Sequence, residues 1–443
     1  MTVTIQPSEI SGILNAPASK SSMQRACALA LLNDGETTII NPGKSNDDLA
    51  AQDIIQKLGA MITKKENGDL CVRGFGLKHV QEVGGQINCG ESGLGIRMFA
   101  PIVALSSKEI IINGEGSLLN RPMNFFDEVF PQLGISVQTN NGKLPMKIKG
   151  PLQPKDIIID GSLSSQFLTG LLFAYAKAAT KRVRITVNNL KSKPYIDLSL
   201  QMLKHFGYEV ENNNYESFTI IPINGSTDKR INEFTYTVEG DWSGAAFLLV
   251  AGVIAGTITV KGLDVFSEQA DKAILQPLMD CGAFVSIEEN QITVSSPLGK
   301  RCKAFHFNAT DCPDLFPPLV ALAAHCDGIS VIEGVGRLAH KESDRAITLQ
   351  EEFKKMGVEI RLQDDLMMIT GGAELKAAIV HSHHDHRIAM ACAVAGVRSP
   401  YATIITDAYA VKKSYPDFYQ DLKFLGVNLE IGESGFNDAF NQS

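Results

Sequence analysis

Residues 56–62 read Gln-Lys-Leu-Gly-Ala-Met-Ile, which joins the end of an amphipathic segment to a glycine and then to a strand-like apolar pair. Glycine suits the left-handed position that closes a helix, where other residues are strained. The pattern occurs six times, at spacings of 75, 73, 75, 75 and 69 residues between glycines. A regular period predicts a repeated structural unit, here a small α/β module used six times. The glycines are Gly59, Gly134, Gly207, Gly282, Gly357 and Gly426.

The residues before each glycine repeat as well. A β-branched run such as Thr37–Ile40 precedes each amphipathic segment, and a long apolar stretch such as Ala26–Leu32 precedes that run. The long stretch is apolar on nearly all sides, which is typical of a buried helix. Each unit is therefore predicted to contain a buried helix, a strand, an amphipathic helix and two further strands joined by a turn.

The two ends of the chain indicate how the units are grouped. The sixth unit has no clear second strand after residues 427–431, and Val3–Ile5 offers a spare one. We therefore expect an α/β protein of two domains with three units each. The first would span residues 19–238, and the second residues 239–443 completed by residues 1–18. Two chain crossings would make a hinge, with the active site in the cleft between the domains.

Composition excludes several classes of protein. The 443 residues carry a net charge of −8, which argues against a nucleic-acid binder. Met1–Pro7 lacks the features of a signal peptide, and no apolar run is long enough to favour a membrane span. The eight cysteines are scattered, which fits reduced thiols that are mostly small buried hydrophobes. We expect a cytoplasmic monomer that binds small anionic molecules and neither nucleic acid nor membrane.

Cations stand near the starts of predicted buried helices. The first helix begins with Ser19–Arg25 and the second with Glu91–Arg97. Capping explains Ser and Asp at such places, but Lys and Arg oppose the helix dipole. Helix starts bind anions, so we favour an anion site over capping alone. The other four starts contain Ser164–Gln166, Asp241–Ser243, Pro313–Asp314 and His384–Arg387.

The amphipathic helices begin with a second set of cations. Arginine offers a planar fork for phosphate or carboxylate, and lysine a compact charge. Lys341–Arg345 alone fits a solvated helix start with internal ion pairs equally well, but its place in the repeat favours ligand binding. The set comprises Asn120–Pro122, Ser192–Asp197, Lys341–Arg345 and Lys413–Asp417.

Six of these segments, in this order, resemble the EPSP synthase (3-phosphoshikimate 1-carboxyvinyltransferase) family. Each alone is weak evidence, but six in order along essentially the whole chain are highly specific. The resemblance implies two domains of three βαβαββ units. It also implies transfer of the enolpyruvyl group of phosphoenolpyruvate to the 5-hydroxyl of shikimate 3-phosphate, on the route to chorismate, with no cofactor. The segments are Ser19–Arg25, Ser164–Thr169, Ser192–Asp197, Lys341–Arg345, Asp385–Arg387 and Lys413–Asp417.

The resemblance implies a role for each matching residue. Asp314 is the expected base and Glu342 the expected acid, and Lys20 or Lys413 would share in proton transfer. Cations around two anionic substrates would supply positioning and charge stabilisation. The shikimate 3-phosphate set is Lys20, Ser21, Arg25, Ser164, Ser165, Gln166, Ser192, Tyr195, Asp314 and Lys341. The phosphoenolpyruvate set is Lys20, Gly93, Arg121, Gln166, Glu342, Arg345, His386, Arg387 and Lys413.

The chain departs from the family pattern near Gly93. Glu91 and Leu94 stand where the family usually has Asn and Thr, which adds a negative charge and removes a hydroxyl. We therefore expect a changed phosphoenolpyruvate end and a changed response to the family's inhibitor glyphosate. Arg337 stands where some members have Asn, and it is left off the predicted site.

Several alternatives stay open on sequence alone. The same fold serves enolpyruvyl transfer to UDP-N-acetylglucosamine, although Ser164–Gln166 and Lys341–Arg345 favour the shikimate substrate. A catalytically silent binder is a second alternative, against which the presence of Asp314, Glu342, Lys20 and Lys413 argues. A purely structural repeat protein is a third, and it would not need cations at its helix starts. The histidines of His381–His386 offer ligands for zinc or nickel. The start of a helix at Asp385–Arg387 explains part of that cluster more simply as a substrate site, so we expect no metal.

Overall fold

The computed structural model describes residues 1–223, 233–297 and 301–432, and the chain divides into two compact units. The first domain comprises the described residues of Pro17–Asp241 together with Phe266–Ala270. The second comprises Met1–Ala16, Trp242–Val265 and the described residues of Asp271–Ser443. The sequence did not predict that residues 266–270 would fall with the first domain.

The described residues form six four-stranded sheets that share one strand order. If the strands are numbered by their place in the repeated unit, their order across each sheet is 1, 2, 4, 3. Strands 1 and 2 are parallel, and strand 4 is antiparallel to both strand 2 and strand 3. In one sheet, for example, Ile157 pairs with Ile185, Ile185 with Phe218, and Val210 with Ile220. A parallel step needs a crossover helix, whereas an antiparallel step needs only a turn. The predicted α/β class and the βαβαββ unit are confirmed.

Three sheets belong to each domain, and we number their units I to VI. The strands, in spatial order, are Phe234–Thr237, Asp34–Ile40, Leu70–Phe75 and Met61–Lys64 in unit I; Gly85–Asn88, Glu109–Asn113, Met146–Lys149 and Ser136–Gln138 in unit II; and Ile157–Asp160, Val183–Asn188, Ser217–Ile221 and Glu209–Asn213 in unit III. In the second domain they are Ile10–Asn15, Gly256–Lys261, Gln291–Ser295 and Phe284–Glu288 in unit IV; His306–Asn308, Gly328–Glu333, Leu366–Gly371 and Glu359–Gln363 in unit V; and Ala378–His381, Thr403–Thr406, Thr2–Ile5 and Leu429–Gly432 in unit VI.

Each unit has an inner helix before its second strand and an outer helix after it. Every residue of the inner helix Trp242–Ala255 is buried, as its apolar surface predicts. The inner helices of units I to VI are Lys20–Leu32, Gly93–Val103, Ser165–Ala178, Trp242–Ala255, Phe316–Ala324 and His386–Val397. The outer helices are Asn46–Lys57, Asn124–Val129, Lys193–His205, Leu275–Asp280, Arg345–Lys355 and Phe418–Phe424.

Short helical turns join these elements. A further α-helix at Gly76–Val80 was not predicted from the sequence. None of the helices in the described ranges combines the length and apolar character needed to span a membrane. The 3-10 helices are Gly116–Asn120, Pro131–Leu133, Ala270–Ile274, Pro313–Leu315, Val335–Arg337 and Ala408–Lys413.

The six repeated glycines close the outer helices as the sequence predicts. All six have positive φ angles, between 76° for Gly134 and 105° for Gly426. A side chain is strained in this region of backbone space, which explains why glycine recurs at this place in every unit.

Strands from distant parts of the chain complete three of the sheets. Val3 pairs with Ile405 on one side and Ile431 on the other, so the predicted use of the N-terminal strand by unit VI is confirmed. The first strand of unit IV, Ile10–Asn15, pairs with Gly256–Lys261. The first strand of unit I is likewise supplied from the far end of the first domain, by Phe234–Thr237.

Gly371 provides a test of how closely the unit V sheet packs on its inner helix. A Cβ atom on Gly371 would lie 1.9 Å from the carbonyl oxygen of Ala323, whereas one on Gly432 would have its nearest neighbour at 3.9 Å. We expect Gly371→Ala to lower the free energy of unfolding by about 1–3 kcal/mol, the usual cost of overpacking. Gly432→Ala is the matched control in a second-domain strand. Urea unfolding followed by fluorescence of Trp242, the single tryptophan, measures both; equal midpoints would contradict the packing argument.

Candidate active site

Lys20 begins the inner helix of unit I and is held by a carboxylate. Ser19 caps this helix by accepting from the Ser22 amide at 3.3 Å. The ammonium of Lys20 donates to Asp47 Oδ2 at 2.8 Å, and the two side chains are only 16% and 8% exposed. Asp47 lies in the first turn of the outer helix and was not singled out from the sequence.

Arg25 is buried and bonded to protein groups around it. Its Nε donates to Ser199 Oγ at 3.0 Å, and its Nη atoms donate to the carbonyls of Ser21 at 2.9 Å and Tyr195 at 3.3 Å. Burial lowers the pKa of Arg25 to about 10, so the group stays charged at neutral pH. Arg25 thus ties two predicted site residues, Ser21 and Tyr195, to one another.

Units II and III meet through Arg97 and Gln166. Arg97 Nη1 donates to Gln166 Oε1 at 2.9 Å, and its guanidinium carbon lies 5.0 Å from the centre of the Phe167 ring. Ser164 caps the helix of unit III by accepting from the Gln166 amide at 3.2 Å. Sequence analysis left Arg97 out of the site, although it follows Gly93 by one helical turn. That spacing places both residues on one face of the helix.

Gly93 and Arg121, both in the predicted phosphoenolpyruvate set, are neighbours in the structure. A Cβ atom on Gly93 would lie 2.2 Å from Arg121 Nη1, so a larger residue at position 93 would displace the guanidinium from its present place. The neighbouring departures have separate structural roles. Leu94 is buried in the core, and Glu91 Oε2 accepts from the Ser117 amide at 3.2 Å, in the 3-10 helix just before Arg121.

Ser192 stands in a strained conformation before the outer helix of unit III. Its φ of 55° and ψ of 48° lie in the left-handed region, which is costly for a residue with a side chain. Such strain clusters at functional sites. Ser192 and the helix-starting Ser165 are both buried.

In the second domain, three cations surround Asp314. Its carboxylate accepts from Arg345 Nη1 at 2.7 Å, from Arg387 Nη2 at 3.1 Å and from Lys341 Nζ at 3.3 Å. Burial alone would raise the pKa of Asp314, but the charges of Arg387, Lys341 and Arg345 hold it well below its ordinary value. Asp314 is therefore ionised at any pH near neutrality, and it is an acceptor.

Arg345 joins three carboxylates and is only 1% exposed. Its Nε donates to Asp385 Oδ2 at 2.8 Å, its Nη1 to Asp314, and its Nη2 to Glu342 and Asp385. Burial alone would lower the pKa of Arg345, but the charges of Asp385, Glu342 and Asp314 raise it above its ordinary value. The predicted base and the predicted acid are therefore both bonded to one guanidinium.

Asp385 has a positioning role that the sequence interpretation missed. It caps the inner helix of unit VI, where its Oδ1 accepts from the Arg387 amide at 3.0 Å. Its Oδ2 also accepts from Ser343 Oγ at 3.0 Å. An aspartate before a long apolar run is a capping signal. Nothing in the sequence alone links that cap to Arg345, which lies 40 residues away.

Lys413, Lys341 and His386 complete the predicted set in this domain. Lys413 is buried at the end of a 3-10 helix and donates to the carbonyl of His384. Burial lowers the pKa of Lys341, and the charge of Asp314 opposes that effect. His386 is buried with its Nδ1 3.9 Å from Asp385 Oδ1. The pKa of Arg337 is also lowered by burial, and the charges of Asp311 and Asp314 offset only part of that effect.

The histidine-rich segment is divided among separate partners. His383 Nε2 lies 2.7 Å from Glu352 Oε1, and His384 Nδ1 lies 2.7 Å from Asp407 Oδ2. In the described ranges the one group with ligand atoms close enough for a metal is Glu351, Glu352 and His383. The ammonium of Lys355 lies 2.7 Å from Glu352 Oε2, so a metal cation would have to compete with this ammonium for the carboxylate of Glu352.

Asp385 provides a test of the buried charge network. We expect Asp385→Ala to destabilise the second domain by about 3–5 kcal/mol, because the buried guanidinium of Arg345 loses a fully buried carboxylate that accepts from two of its nitrogens. Ser343→Ala removes one hydrogen bond to the same carboxylate and should cost only about 1 kcal/mol. Urea unfolding followed by Trp242 fluorescence measures both. Similar losses in the two variants would show that charge is not what Asp385 contributes.

Comparison with known proteins finds relatives of one name that match nearly the whole chain. A family model described as EPSP synthase (3-phosphoshikimate 1-carboxyvinyltransferase) matches residues 5–422. A protein of Methanosarcina acetivorans named 3-phosphoshikimate 1-carboxyvinyltransferase is 37% identical over 437 residues, covering 97% of this chain and 99% of its own. A Clostridium novyi protein of the same name is 35% identical over 439 residues, covering 98% and 99%.

Solved structures share the fold at lower identity. An EPSP synthase from Acinetobacter baumannii has a TM-score of 0.80 at 24% identity, covering 98% of this chain and all of that one. The enolpyruvyl transferase NikO from Streptomyces tendae has a TM-score of 0.77 at 16% identity, covering 97% and 98%. Because the family model and the relatives span nearly the whole chain, the chain belongs to the EPSP synthase (3-phosphoshikimate 1-carboxyvinyltransferase) family.

Proposed function

We propose that this protein transfers the enolpyruvyl group of phosphoenolpyruvate to the 5-hydroxyl of shikimate 3-phosphate and releases phosphate. Membership of the family supports this activity. The single structural observation that supports it best is the carboxylate of Asp314, bonded to Lys341, Arg345 and Arg387. An ionised acceptor among cations suits a reaction between a hydroxyl group and an anionic partner.

The first-domain residues are proposed to bind shikimate 3-phosphate. Serine hydroxyls and amides at helix starts suit a phosphate group. Ser164, Ser165 and Ser192 would contact the 3-phosphate, and Tyr195 would line the ring. Arg25 would act by holding Ser21 and Tyr195 in place, because its guanidinium donates hydrogen bonds to protein groups. Lys20 and Gln166 would contact both substrates.

A second set of residues is proposed to bind phosphoenolpyruvate. Phosphoenolpyruvate carries a carboxylate and a phosphate, so its binding site needs several cations. The planar guanidinium of arginine suits both groups. Gly93 contributes by leaving space for Arg121. The set is Gly93, Arg121, Arg345, His386, Arg387 and Lys413, with Glu342 facing the reacting carbons.

The proton transfers follow from the bonds that change. As the 5-hydroxyl adds to phosphoenolpyruvate it loses a proton, and the methylene carbon gains one. The product keeps the carbon–carbon double bond, so the proton on that carbon must leave again with the departing phosphate. Asp314 would accept the hydroxyl proton, and Glu342 would give the carbon its proton and take one back, with Lys20 sharing in the transfer.

Binding would also adjust the basicity of Asp314. Its pKa is depressed by cations, which makes it a weak base by itself. Arg345 and Arg387 are also assigned to phosphoenolpyruvate. An anion bound to those arginines would offset part of their effect on Asp314 and raise its pKa. The base would thus strengthen when the second substrate arrives.

A phosphate-release assay with two acceptors tests the proposed activity. Phosphoenolpyruvate with shikimate 3-phosphate should give phosphate and the enolpyruvyl product, identified by mass spectrometry. UDP-N-acetylglucosamine in place of shikimate 3-phosphate should give none. Turnover only with the nucleotide sugar would contradict the acceptor assignment. Binding of shikimate 3-phosphate without turnover would indicate a silent binder. The expectations of a monomer in the cytoplasm stay predictions.

Asp314→Asn tests the assigned base. We expect the turnover number to fall by more than about a hundredfold, the usual scale of lost acid–base catalysis. Shikimate 3-phosphate should still bind, as measured by calorimetry, because an amide can still accept hydrogen bonds. Asp311→Asn is the matched control, since Asp311 is an exposed acid three residues away. Normal turnover in Asp314→Asn would exclude Asp314 as the base.

A further inference from the structure

Three cysteines of the second domain lie on adjacent backbone segments. The amide of Lys303 donates to the carbonyl of Cys281 at 2.8 Å, and the amide of Asp327 donates to the carbonyl of Cys302 at 2.8 Å. Lys303 and Asp327 form a parallel bridge, so Cys302 and Cys326 each lie one residue before a paired position. Paired backbones run about 4.8 Å apart, which places neighbouring Cα atoms within the range that a disulfide spans.

The thiols of these residues are mutual neighbours, and two of them have carbonyl partners. Cys281 Sγ donates to the Leu278 carbonyl at 3.1 Å, and Cys326 Sγ donates to the Leu322 carbonyl at 3.3 Å. The thiols of Cys281 and Cys302, together with burial, raise the pKa of Cys326, so this thiol keeps its proton. All three cysteines are free in the structure.

Cys302 differs from its two neighbours because it lines a cavity. The cavity has a volume of 860 Å³, and its walls include Arg301, His325 and Arg398. Cys302 is 6% exposed, whereas Cys281 and Cys326 are 1% and 0% exposed. The thiol of Cys281, together with burial, raises the pKa of Cys302 to about 12, so Cys302 is distinguished from its neighbours by its place on the cavity wall and not by its acidity. A small solute that enters the cavity therefore meets Cys302 first.

The cavity is remote from the proposed site. Its walls include Ile254 and Val397, at the C-terminal ends of two inner helices whose N-terminal ends carry Trp242 and His386. A helix of 12 residues is about 18 Å long at 1.5 Å per residue. Chemistry at Cys302 is thus separated from Arg387 by roughly the length of a helix.

We propose that Cys302 is an oxidation site, at which a hydroperoxide converts this thiol and one of its two cysteine neighbours into a disulfide. The thiol of Cys302 gives up its proton and its sulfur attacks one peroxide oxygen; the O–O bond breaks, the leaving hydroxide takes up that proton, and the products are a sulfenic acid and water. The sulfur of Cys281 or Cys326 then attacks the sulfenic sulfur. The S–S bond forms, and hydroxide leaves with the attacking thiol's proton as a second water. Two thiols thereby reduce one hydrogen peroxide to two waters.

The test uses the reduced, full-length protein and hydrogen peroxide. After treatment, free thiols are alkylated under denaturing conditions and the protein is examined by mass spectrometry. We expect two fewer alkylated cysteines than the eight of the untreated protein, and a disulfide-linked peptide that contains Cys302 with Cys281 or Cys326. Dithiothreitol should restore all eight. Peroxide-treated protein in which Cys302 remains fully alkylated would overturn the proposal.

Variants separate this site from general thiol oxidation. Cys302→Ser should abolish the disulfide, whereas Cys71→Ser, which removes a partly exposed first-domain thiol, should leave it intact. In the double variant Cys281→Ser with Cys326→Ser, Cys302 should stop at the sulfenic acid and be trapped by a 1,3-dicarbonyl probe. Thermal unfolding checks that each variant is folded. A disulfide that persists in Cys302→Ser would contradict the assignment, as would a folded double variant without probe adduct.

Discussion

A buried guanidinium neutralised by carboxylates is the constraint on which the second-domain site depends. Arg345 is 1% exposed and bonds to Asp314, Glu342 and Asp385. A buried charge without partners is strongly unfavourable, so moving any of these carboxylates away from Arg345 would cost free energy of folding. Because Arg345 is buried, its hydrogen bonds hold the carboxylates of Asp314 and Glu342, the proposed base and acid, in fixed positions. It also sets their electrostatics, because the same cations that hold Asp314 lower its pKa.

The first domain reaches a comparable arrangement by hydrogen bonds between helix starts. Gln24 accepts from Ser92 at 2.9 Å, linking units I and II, and Gln166 accepts from Arg97, linking units II and III. Arg25 adds contacts with the third unit through Ser199. The polar starts of the inner helices of units I, II and III are thus bonded to one another. Their capping and their proposed ligand binding use the same short segments.

Local sequence predicted the repeat, the buried helices and the closing glycines, because each depends on residues close together in the chain. Val3–Ile5 could also be placed, since the last unit lacked a strand. The partners of buried charges could not be predicted. Asp385 is 40 residues from Arg345, and no periodic signal relates them. The effects of Glu91 and Leu94 were likewise hidden, because they depend on which way each side chain points.

Two strands from the N-terminal part of the chain complete sheets of units IV and VI, and this affects the order in which the chain can fold. Thr2–Ile5 and Ile10–Asn15 are synthesised before their sheet partners, which include Gly256–Lys261 and Leu429–Gly432. The first domain has all its strands once residue 237 has been made. Domains tend to fold as they emerge, from the N-terminal side. Here Thr2–Ile5 and Ile10–Asn15 must instead stay unpaired while the first domain forms behind them. The sheet of Ile10–Asn15 is complete only once residue 295 has been made, and the sheet of Thr2–Ile5 only once residue 432 has been made.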